Sequence, residues 1–377
     1  MPIKPNFMIT RLLKPFALLA SMALLWPPSS FSRTPADAFP RQQSFFDFLS
    51  GVPVREITIE ADFSQFLENK NTDNYQPAVV TFDDNGGAEV TFDAKIRSRG
   101  KYRRRVCDLP PIKLNLPKGR LKDLGLREDF DKYKIVTHCL DERDPGQDNV
   151  VKELMAYQLY NQLTPYSFRT QLLRVQYIDT SGKMGRFKRL AILIEDNDEL
   201  ADRMNLTKCE DCLNPDPLRV NPQLEMTHAL FQFMIGNADF SMKMARNIEM
   251  FLNEKGEIVP VPFDFDFAGL VNAGYAIANT DYGLTSVRDR IYLGIDRPNS
   301  ELLPVIRQFK TKEPEFLAIV MQNKNLDRES RVDVADFLDT FYTEIDGLLS
   351  RPQGDWAAIL TRKQMPQVRD STINSGK

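Results

Sequence analysis

Histidine is nearly absent from this chain of 377 residues, which contains only His138 and His228. Neither histidine lies near a Gly-x-Ser-x-Gly turn, the segment that presents the nucleophilic serine in α/β-hydrolases. A Ser-His-Asp triad requires a histidine as its general base. The sequence therefore argues against a serine hydrolase, and His228, which lies in an apolar helical pattern, is expected in the core.

A surplus of positive charge is also missing, because the formal net charge of the chain is −3 at neutral pH. Domains that bind nucleic acids usually carry a dominant basic face that neutralises the phosphate backbone. No such face is evident from the composition or from the order of charges along the chain. We therefore expect no nucleic-acid partner.

Long apolar runs are lacking as well. The run near the N-terminus, Pro15–Trp26, has 12 residues, whereas a membrane-spanning helix needs about 20. Basic residues precede this run and Ala36-Asp37-Ala38 follows it, which is the layout of a secretory signal peptide. An uncleaved anchor is the alternative. We expect residues 1–38 to direct export to the periplasm or the medium, with no stable membrane span after cleavage.

Cysteine is scarce, and the four residues present are Cys107, Cys139, Cys209 and Cys212. An even number of cysteines in an exported protein favours disulfide bonds. Four cysteines allow three pairings, and we favour Cys107 with Cys139 and Cys209 with Cys212, because the second pair lies in one short loop. A four-cysteine zinc site is the alternative, although a single C-x-x-C is weak evidence for zinc.

The strand and helix patterns divide the chain into two parts. Arg55–Glu60 alternates apolar and polar residues, as a half-buried strand does, and Asn-Gly-Gly at 85–87 marks a hairpin. One main helix is predicted at Asp148–Leu163. We therefore predict an α+β protein with two lobes, in which residues 54–137 are mainly antiparallel sheet. The predicted parts are a signal peptide at 1–38, a linker at 39–53, a β-rich lobe at 54–197, a mostly helical lobe at 198–350 and a polar tail at 351–377.

Carboxylate and amide side chains recur at turns in the second half of the chain. Asp239 follows an apolar helix, Asn247 comes eight residues later, and Asp264 and Asp266 end a short apolar strand. Enzymes that transfer phosphate from a nucleotide use one carboxylate to orient the acceptor, and an Asn with a second carboxylate to hold magnesium. We therefore predict Asp239 as the catalytic residue. The alternative for Asp239 is a turn residue that only caps a backbone amide, and the alternative for Asn247 is a turn residue at the start of a strand.

The same spacing predicts the metal ligands. Two short strands, 248–252 and 258–261, turn at a Gly-containing loop between Asn247 and Asp264. Asp264 and Asp266 are two residues apart in an extended chain and so point to the same side. Oxygen ligands of this kind suit Mg²⁺ or Mn²⁺. We predict Asn247 and Asp264 as ligands, with Asp266 assisting.

Glycine-rich phosphate loops are absent, since the chain has neither a G-x-G-x-x-G nor a Walker motif. A cluster of basic residues surrounds Gly100 instead. Guanidinium groups bind phosphate through paired hydrogen bonds, so Arg97 and Arg99 are predicted to contact the phosphates of a nucleotide. A solvated strand end is the alternative for this cluster.

Several of these segments resemble the secreted CotH family of atypical kinases. The matching segments, which lie between residues 54 and 270, are Arg97-Ser-Arg-Gly, Ile112-Lys-Leu, Gly236-Asn-x-Asp with a later Arg-Asn, and Pro262-Phe-Asp-Phe-Asp. The resemblance implies a two-lobed kinase-like fold, with an antiparallel-sheet N-lobe containing one main helix and a mostly helical C-lobe carrying a catalytic hairpin. It also implies ATP- and Mg²⁺- or Mn²⁺-dependent phosphorylation of a hydroxyl, expected on Ser or Thr of an exported protein.

The resemblance assigns roles to three further residues. Lys113 matches the strand lysine that contacts nucleotide phosphates, with a solvent-facing lysine as the alternative. Glu153 on the main helix is expected to pair with Lys113, unless it is an ordinary surface charge. Glu195, at the end of an apolar strand, is expected to face the adenine or the metal, with capping as the alternative.

Two other functions stay open at this point. The chain has no His-Arg-Asp motif, and apolar residues follow Asp239 where family members are more polar. An exported pseudokinase or structural interaction protein that keeps only the fold is therefore the alternative. A glycosidase would need two carboxylates about 5–10 Å apart, which Asp239 and Asp264 could supply, but Lys113 and Asn247 would then have no role.

Overall fold

The structure of the protein, a computed structural model, describes residues 42–84, 86–350 and 356–362. The predicted signal peptide at 1–38 lies outside the described residues, and so does the predicted polar tail apart from 356–362. Within the described ranges, no helix is both long and apolar enough to cross a membrane.

Seven strands form a closed barrel in the order β1-β2-β3-β4-β5-β7-β6. All neighbouring pairs are antiparallel except β1 and β6, which pair in parallel with Ile57 opposite Val175. Alternate residues of each strand point inward and form the first hydrophobic core, which includes Val80, Phe92 and Leu193. The strands are β1 (Arg55–Ala61), β2 (Gln76–Asp83), β3 (Glu89–Ser98), β4 (Ile112–Asn115), β5 (Lys132–Val136), β6 (Thr170–Asp179) and β7 (Arg186–Ile194).

The closed barrel overturns the predicted fold class. The predicted antiparallel sheet of a two-lobed, kinase-like fold is wrong, because β1 and β6 join its two edges through parallel pairing. Closure leaves no sheet edge open to pair with another chain. Alternation predicted a strand at residues 55–60, but it carries no information on which strands pair, and β1 and β6 are far apart in the sequence.

Part of the predicted linker is packed into the barrel. Helix α1 (Phe45–Leu49) starts at Ser44, whose hydroxyl accepts a hydrogen bond from the backbone N–H of Asp47. The ring of Phe45 makes edge contacts with those of Phe82 and Phe92, at centroid distances of 6.0 and 5.5 Å. Apolar side chains of α1 therefore extend the barrel core, and this segment is not a loose connection.

The helices from residue 143 onward and a small sheet build a second hydrophobic core against the outer face of the barrel. This core includes Val136, Leu190 and Ile192 from the outer face of β5 and β7, together with Leu154 and Phe231 from two helices. The small sheet has the order β10-β9-β8, with β8 (Thr207–Lys208), β9 (Ile248–Leu252) and β10 (Ile258–Pro262). The helices after α1 are α2 (Phe63–Glu68), α3 (Arg103–Val106), α4 (Lys118–Asp123), α5 (Arg143–Asn161), α6 (Asn197–Met204), α7 (Pro222–Met234), α8 (Asn299–Met321), α9 (Arg328–Leu349) and α10 (Trp356–Arg362).

The cysteines form the two disulfides that we favoured from the sequence. Cys107 is bonded to Cys139, which ties the end of α3 to the segment after β5. Cys209 is bonded to Cys212 within one loop. Because all four sulfur atoms are in disulfides, they are not available as thiolate ligands, and the four-cysteine zinc site is excluded.

Candidate active site

The loop after α7 holds Asp239 and Asn247 together. The side-chain amide of Asn247 donates hydrogen bonds to the backbone oxygen of Asp239 at 2.7 Å and to its carboxylate at 3.0 Å. The Asp239 backbone N–H donates to the side chain of Asn237 at 2.9 Å. Arg246 lies 3.4 Å from the second oxygen of the Asp239 carboxylate. The loop therefore fixes the Asp239 carboxylate before any ligand binds.

The end of β10 brings Asp264 next to Asn247. The backbone N–H of Phe263 donates to the backbone oxygen of Asn247 at 3.1 Å, and that of Asp264 donates to the hydroxyl of Tyr157 at 2.9 Å. Asn247 and Asp264 both have positive φ, 54° and 65°. Non-glycine residues are uncommon in this region and concentrate at functional sites. This strained pair thus lies where the sequence predicts metal ligands.

Arg103 joins Asp264 and Asp266 to the main helix. Its Nε donates to Asp266 at 2.7 Å, one terminal nitrogen donates to Asp264 at 2.8 Å, and the same nitrogen donates to both oxygens of Glu153 at 3.0 Å. The side chain of Arg103 is only 5% exposed. The partner of Glu153 is therefore Arg103 and not Lys113. Arg103 belongs to the basic cluster around Gly100, from which only Arg97 and Arg99 were predicted as site residues.

Burial changes the protonation of these acids. Burial raises the pKa of Asp239 to about 6, against the opposing effect of Arg246, and the charges of Asp266 and Asp264 raise it further. Burial also raises the pKa of Asp266 and of Glu153, although Arg103 counteracts both shifts. A carboxylate with a pKa of about 6 is ionised at neutral pH and is still a moderate base. Asp239 therefore has the properties of a general base.

Three basic side chains lie side by side on the outer face of the barrel. The strand register places Arg97 on β3 opposite Lys113 on β4, and Lys113 opposite Lys134 on β5. We call these three residues the basic row. Like charges at directly opposed strand positions are destabilising. Arg99 adds a fourth charge, which lowers the pKa of both lysines in addition to the larger effect of burial. The row is therefore suited to bind an anion.

Lys134 connects the basic row to the carboxylates. Its ammonium lies 4.8 Å from the ring centroid of Phe263, the residue before Asp264, and 5.1 Å from that of Phe168. It donates to the side chain of Asn197 at 2.7 Å. Burial, and then the charge of Arg99, lower the pKa of Lys134 to about 7. No sequence pattern singles out Lys134, because its position depends on strand register and on contact with the distant Phe263.

Some predicted residues have other partners in the structure. Arg97 donates to Asp73 at 2.8 Å at the far end of the basic row. Lys113 donates to the backbone oxygen of Lys132 at 3.2 Å, and its ammonium is 3.9 Å from Asp196.

Glu195 is fully buried and does not lie free in a binding site. Its carboxylate accepts hydrogen bonds from Arg169 at 2.8 Å and from Arg203 at 2.9 Å. This pairing anchors the segment that leads into α6. Its protein partners therefore favour a structural role over the expected contact with adenine or metal.

A pocket of about 120 Å³ opens beside Asp239. Its walls are mainly apolar, and Asn279 and Ser286 add polar groups near the carboxylate. The side-chain amide of Asn279 donates to the backbone oxygen of Ala238 at 3.3 Å. The pocket thus provides room for a small hydroxyl-bearing group next to the candidate base. Its lining is Gly236, Ala238, Asp239, Phe267, Ile277, Ala278, Asn279, Leu284, Ser286 and Val287.

The donor set fits a divalent cation only in part. Among the described residues, the one trio of Cys, His, Asp or Glu with ligand atoms within 4.8 Å is Cys209, Asp211 and Cys212, and its cysteines form a disulfide. The three aspartates of the site therefore do not close around an ion by themselves. Magnesium is usually bound by one or two carboxylates together with water and substrate phosphates. Asn247 and Asp264 match that partial donor set.

Comparisons with known proteins give little information about the function of this chain. No protein-family model and no curated protein matches the sequence. The chain is similar to the crystal structure of the Helicobacter pylori proinflammatory kinase CtkA, with 11% identity over 68% of this chain and 94% of that chain, at a TM-score of 0.37. A similarity this low establishes neither a shared fold nor a shared function. The function is therefore inferred from the residues of the site alone.

Proposed function

We propose that the protein is an exported phosphotransferase that moves the γ-phosphate of ATP to a hydroxyl acceptor, with Mg²⁺ or Mn²⁺. The main support is that Lys134 of the basic row packs against Phe263, the residue that precedes Asp264 in the chain. A nucleotide triphosphate with its cation needs both kinds of group at adjacent positions. As the CotH resemblance implies, the acceptor is proposed to be Ser or Thr of a protein.

The basic row would bind the phosphates. Lys134 and Lys113, with Arg99 close by, crowd positive charge onto one face, and an anion there would relieve their mutual repulsion. Charge-assisted hydrogen bonds to phosphate are stronger than neutral ones. Because Lys134 is buried, its interaction with a phosphate would be screened little by salt. We therefore assign Lys134 the largest share of phosphate binding.

The loop residues would act on the cation and the acceptor. Asn247 and Asp264 would hold the cation, which neutralises charge on the transferring phosphate. Asp239 would accept the proton of the acceptor hydroxyl, held in the adjacent pocket of about 120 Å³. The pKa of about 6 for Asp239 suits this task, because a general base works best with a pKa near the operating pH.

Export is part of the proposal. The two disulfides agree with an oxidising compartment, where such bonds form and persist. The signal peptide expected at residues 1–38 is consistent with this location. Export to the periplasm or beyond would also bring the enzyme to exported protein acceptors.

Calorimetry with ATP, with and without Mg²⁺, tests the proposal. We expect Mg²⁺-dependent ATP binding by the wild type. Asp264→Ala should lose the Mg²⁺ dependence, because the cation loses its charged ligand. Asp239→Asn should keep ATP binding within about twofold and lower transfer from γ-labelled ATP by roughly 10²–10⁴-fold, the usual contribution of a general base.

Asp339→Ala is the matched control, since Asp339 lies on the exposed surface of α9. It should leave binding and transfer unchanged. A wild-type protein that binds ATP equally well with Mg²⁺ and with a chelator would contradict the proposal. Mg²⁺-dependent binding without transfer to any acceptor would instead identify a nucleotide-binding pseudoenzyme.

A further inference from the structure

Arg103 occupies the space between the carboxylates where a cation would otherwise be needed. Three of its hydrogen bonds reach Asp264, Asp266 and Glu153 at 2.7–3.0 Å. The side chains of Asp266 and Glu153 are 5% and 3% exposed, whereas that of Asp264 is 24% exposed. Buried carboxylates are costly without a positive partner. The guanidinium therefore neutralises the inner side of the site and leaves Asp264 open toward solvent.

The segment that carries Arg103 is fixed on both sides. The adjacent Tyr102 donates to the backbone oxygen of Tyr275 at 3.1 Å and packs edge-on against Phe267, at a centroid distance of 5.1 Å. Just beyond α3, Cys107 is bonded to Cys139. These contacts hold the guanidinium in the site through a short, braced stretch of chain.

We propose that Arg103 is a built-in cation of this site, which competes with a divalent cation for Asp264 and leaves room for one exchangeable ion. The proposal rests on the proposed function only in taking Asp264 as a metal ligand. An ion on Asp264 would lie close to the guanidinium, and like charges at this distance repel each other. Metal alone should therefore bind weakly, and the negative charge of nucleotide phosphates should offset the repulsion when both bind together.

Titration of the protein with Mn²⁺ alone, without nucleotide, tests this inference by calorimetry. Arg103→Met removes the charge and should tighten Mn²⁺ binding by at least about tenfold, which corresponds to 1.4 kcal/mol. Arg103→Lys keeps a charge that reaches fewer carboxylates, and its Mn²⁺ affinity should fall between those of the wild type and Arg103→Met. Arg105→Met is the control, because Arg105 lies exposed on the same helix, and it should match the wild type.

Circular dichroism shows whether each variant is folded. A folded Arg103→Met with the same or weaker Mn²⁺ affinity than the wild type would overturn the proposal. If this variant folds only when Mn²⁺ is added, the ion has replaced the guanidinium and the proposal is supported. If it does not fold at any Mn²⁺ concentration, an Arg103→Lys affinity equal to that of the wild type overturns the proposal, and a tighter one supports it.

The outcome is independent of phosphate transfer. If the protein does not bind ATP, the proposed function fails, yet tighter Mn²⁺ binding by Arg103→Met still shows that Arg103 competes for Asp264. If ATP binds with Mg²⁺ but the Mn²⁺ affinities of all variants are equal, the built-in cation is refuted while the proposed function stands.

Discussion

The basic and acidic halves of the candidate site are built in different ways. The basic row lies on three neighbouring barrel strands, where hydrogen bonds along the whole ladder fix the side-chain positions. The acidic half lies on loops, where positive φ at Asn247 and Asp264 and the guanidinium of Arg103 hold the carboxylates. The comparison shows that a sheet holds like charges together through register, whereas a loop requires a specific counter-charge.

The two halves also differ in the free-energy cost of placing like charges together and in the contacts that offset this cost. Like charges opposed on neighbouring strands cost a few tenths to about 1 kcal/mol per pair, a cost that the barrel can bear without a ligand. Breaking a buried ion pair costs about 3–5 kcal/mol, which makes Arg103 necessary before any ligand arrives. In the basic half each side chain has one acid at 2.8–4.0 Å, Asp73 for Arg97, Asp196 for Lys113 and Glu249 for Lys134. In the acidic half one guanidinium, that of Arg103, makes hydrogen bonds to three carboxylates.

The largest effect is expected when a charge is removed from the basic half. Lys134→Met should lower ATP affinity by roughly 10- to 100-fold, because a buried, charge-assisted contact with phosphate is lost. Lys113→Met should have a smaller effect, since Lys113 is 18% exposed. Calorimetry measures both. Lys132→Met, on the same strand as Lys134 but 51% exposed, is the control, and an equal loss in this variant would refute a specific role for Lys134.

A second effect follows from the pKa of about 7 for Lys134. At pH 8 the free lysine is mostly neutral, and a bound phosphate raises its pKa because it favours the charged form. ATP binding should therefore take up close to one proton at pH 8 and weaken as pH rises above 7. Calorimetry in buffers of different ionisation enthalpy measures this uptake. Identical heats in all buffers, or an uptake that persists in Lys134→Met, would contradict the assignment.

The smallest effect is expected from the two buried histidines, which make the stability of the protein depend on pH. His138 lies 6.1–6.2 Å from the barrel rings of Tyr177 and Phe187, and His228 lies 4.8 Å from that of Phe240. Burial lowers the pKa of each to about 3, and the charge of Arg189 lowers that of His138 further. Each histidine therefore binds a proton more readily in the unfolded chain, so stability is lost as pH falls from about 6.5 toward 3.

Urea unfolding at pH 7.5 and 5.5 measures this loss. Each histidine should contribute about 1.4 kcal/mol of destabilisation at pH 5.5. His138→Phe and His228→Phe should each remove that share of the pH dependence. Unequal changes would show that one core admits water or a counter-charge to its histidine and the other does not. An unchanged pH dependence in both variants would show that carboxylates alone cause the acid sensitivity.

Local pattern predicted much of the chain. Period-two alternation predicted β1, the Asn-Gly-Gly turn predicted the hairpin of β2 and β3, and the helical pattern at 148–163 predicted α5. The strands predicted at 248–252 and 258–261 are β9 and β10. Asn247 and Asp264 adopt positive φ, as these residue types tolerate, and their role as metal ligands stays a prediction. Short spacing favoured the disulfide between Cys209 and Cys212, which the structure contains. These features depend on neighbours in the sequence, and for that reason they can be predicted from the sequence.

The missed features depend on neighbours in space. The roles of Lys134 and Arg103 come from strand register and from side chains more than 50 residues away, such as Asp264. Helix α1 was predicted as part of a linker because its five residues are too few to show a period, although Phe45 packs into the barrel. A charged residue in a sequence does not show whether its partner is solvent, a ligand or a buried acid.

The sequence by itself determined strands such as β1, β9 and β10, the main helix α5, and the presence of acids and an amide at the turns around β9 and β10. Only the tertiary structure decided that the sheet closes through β1 and β6, that Lys134 joins the basic row and that Arg103 enters the acidic half. The physical reason is that backbone preference and periodicity are local. Strand pairing, desolvation and charge neutralisation are instead set by whichever distant residues the fold brings together.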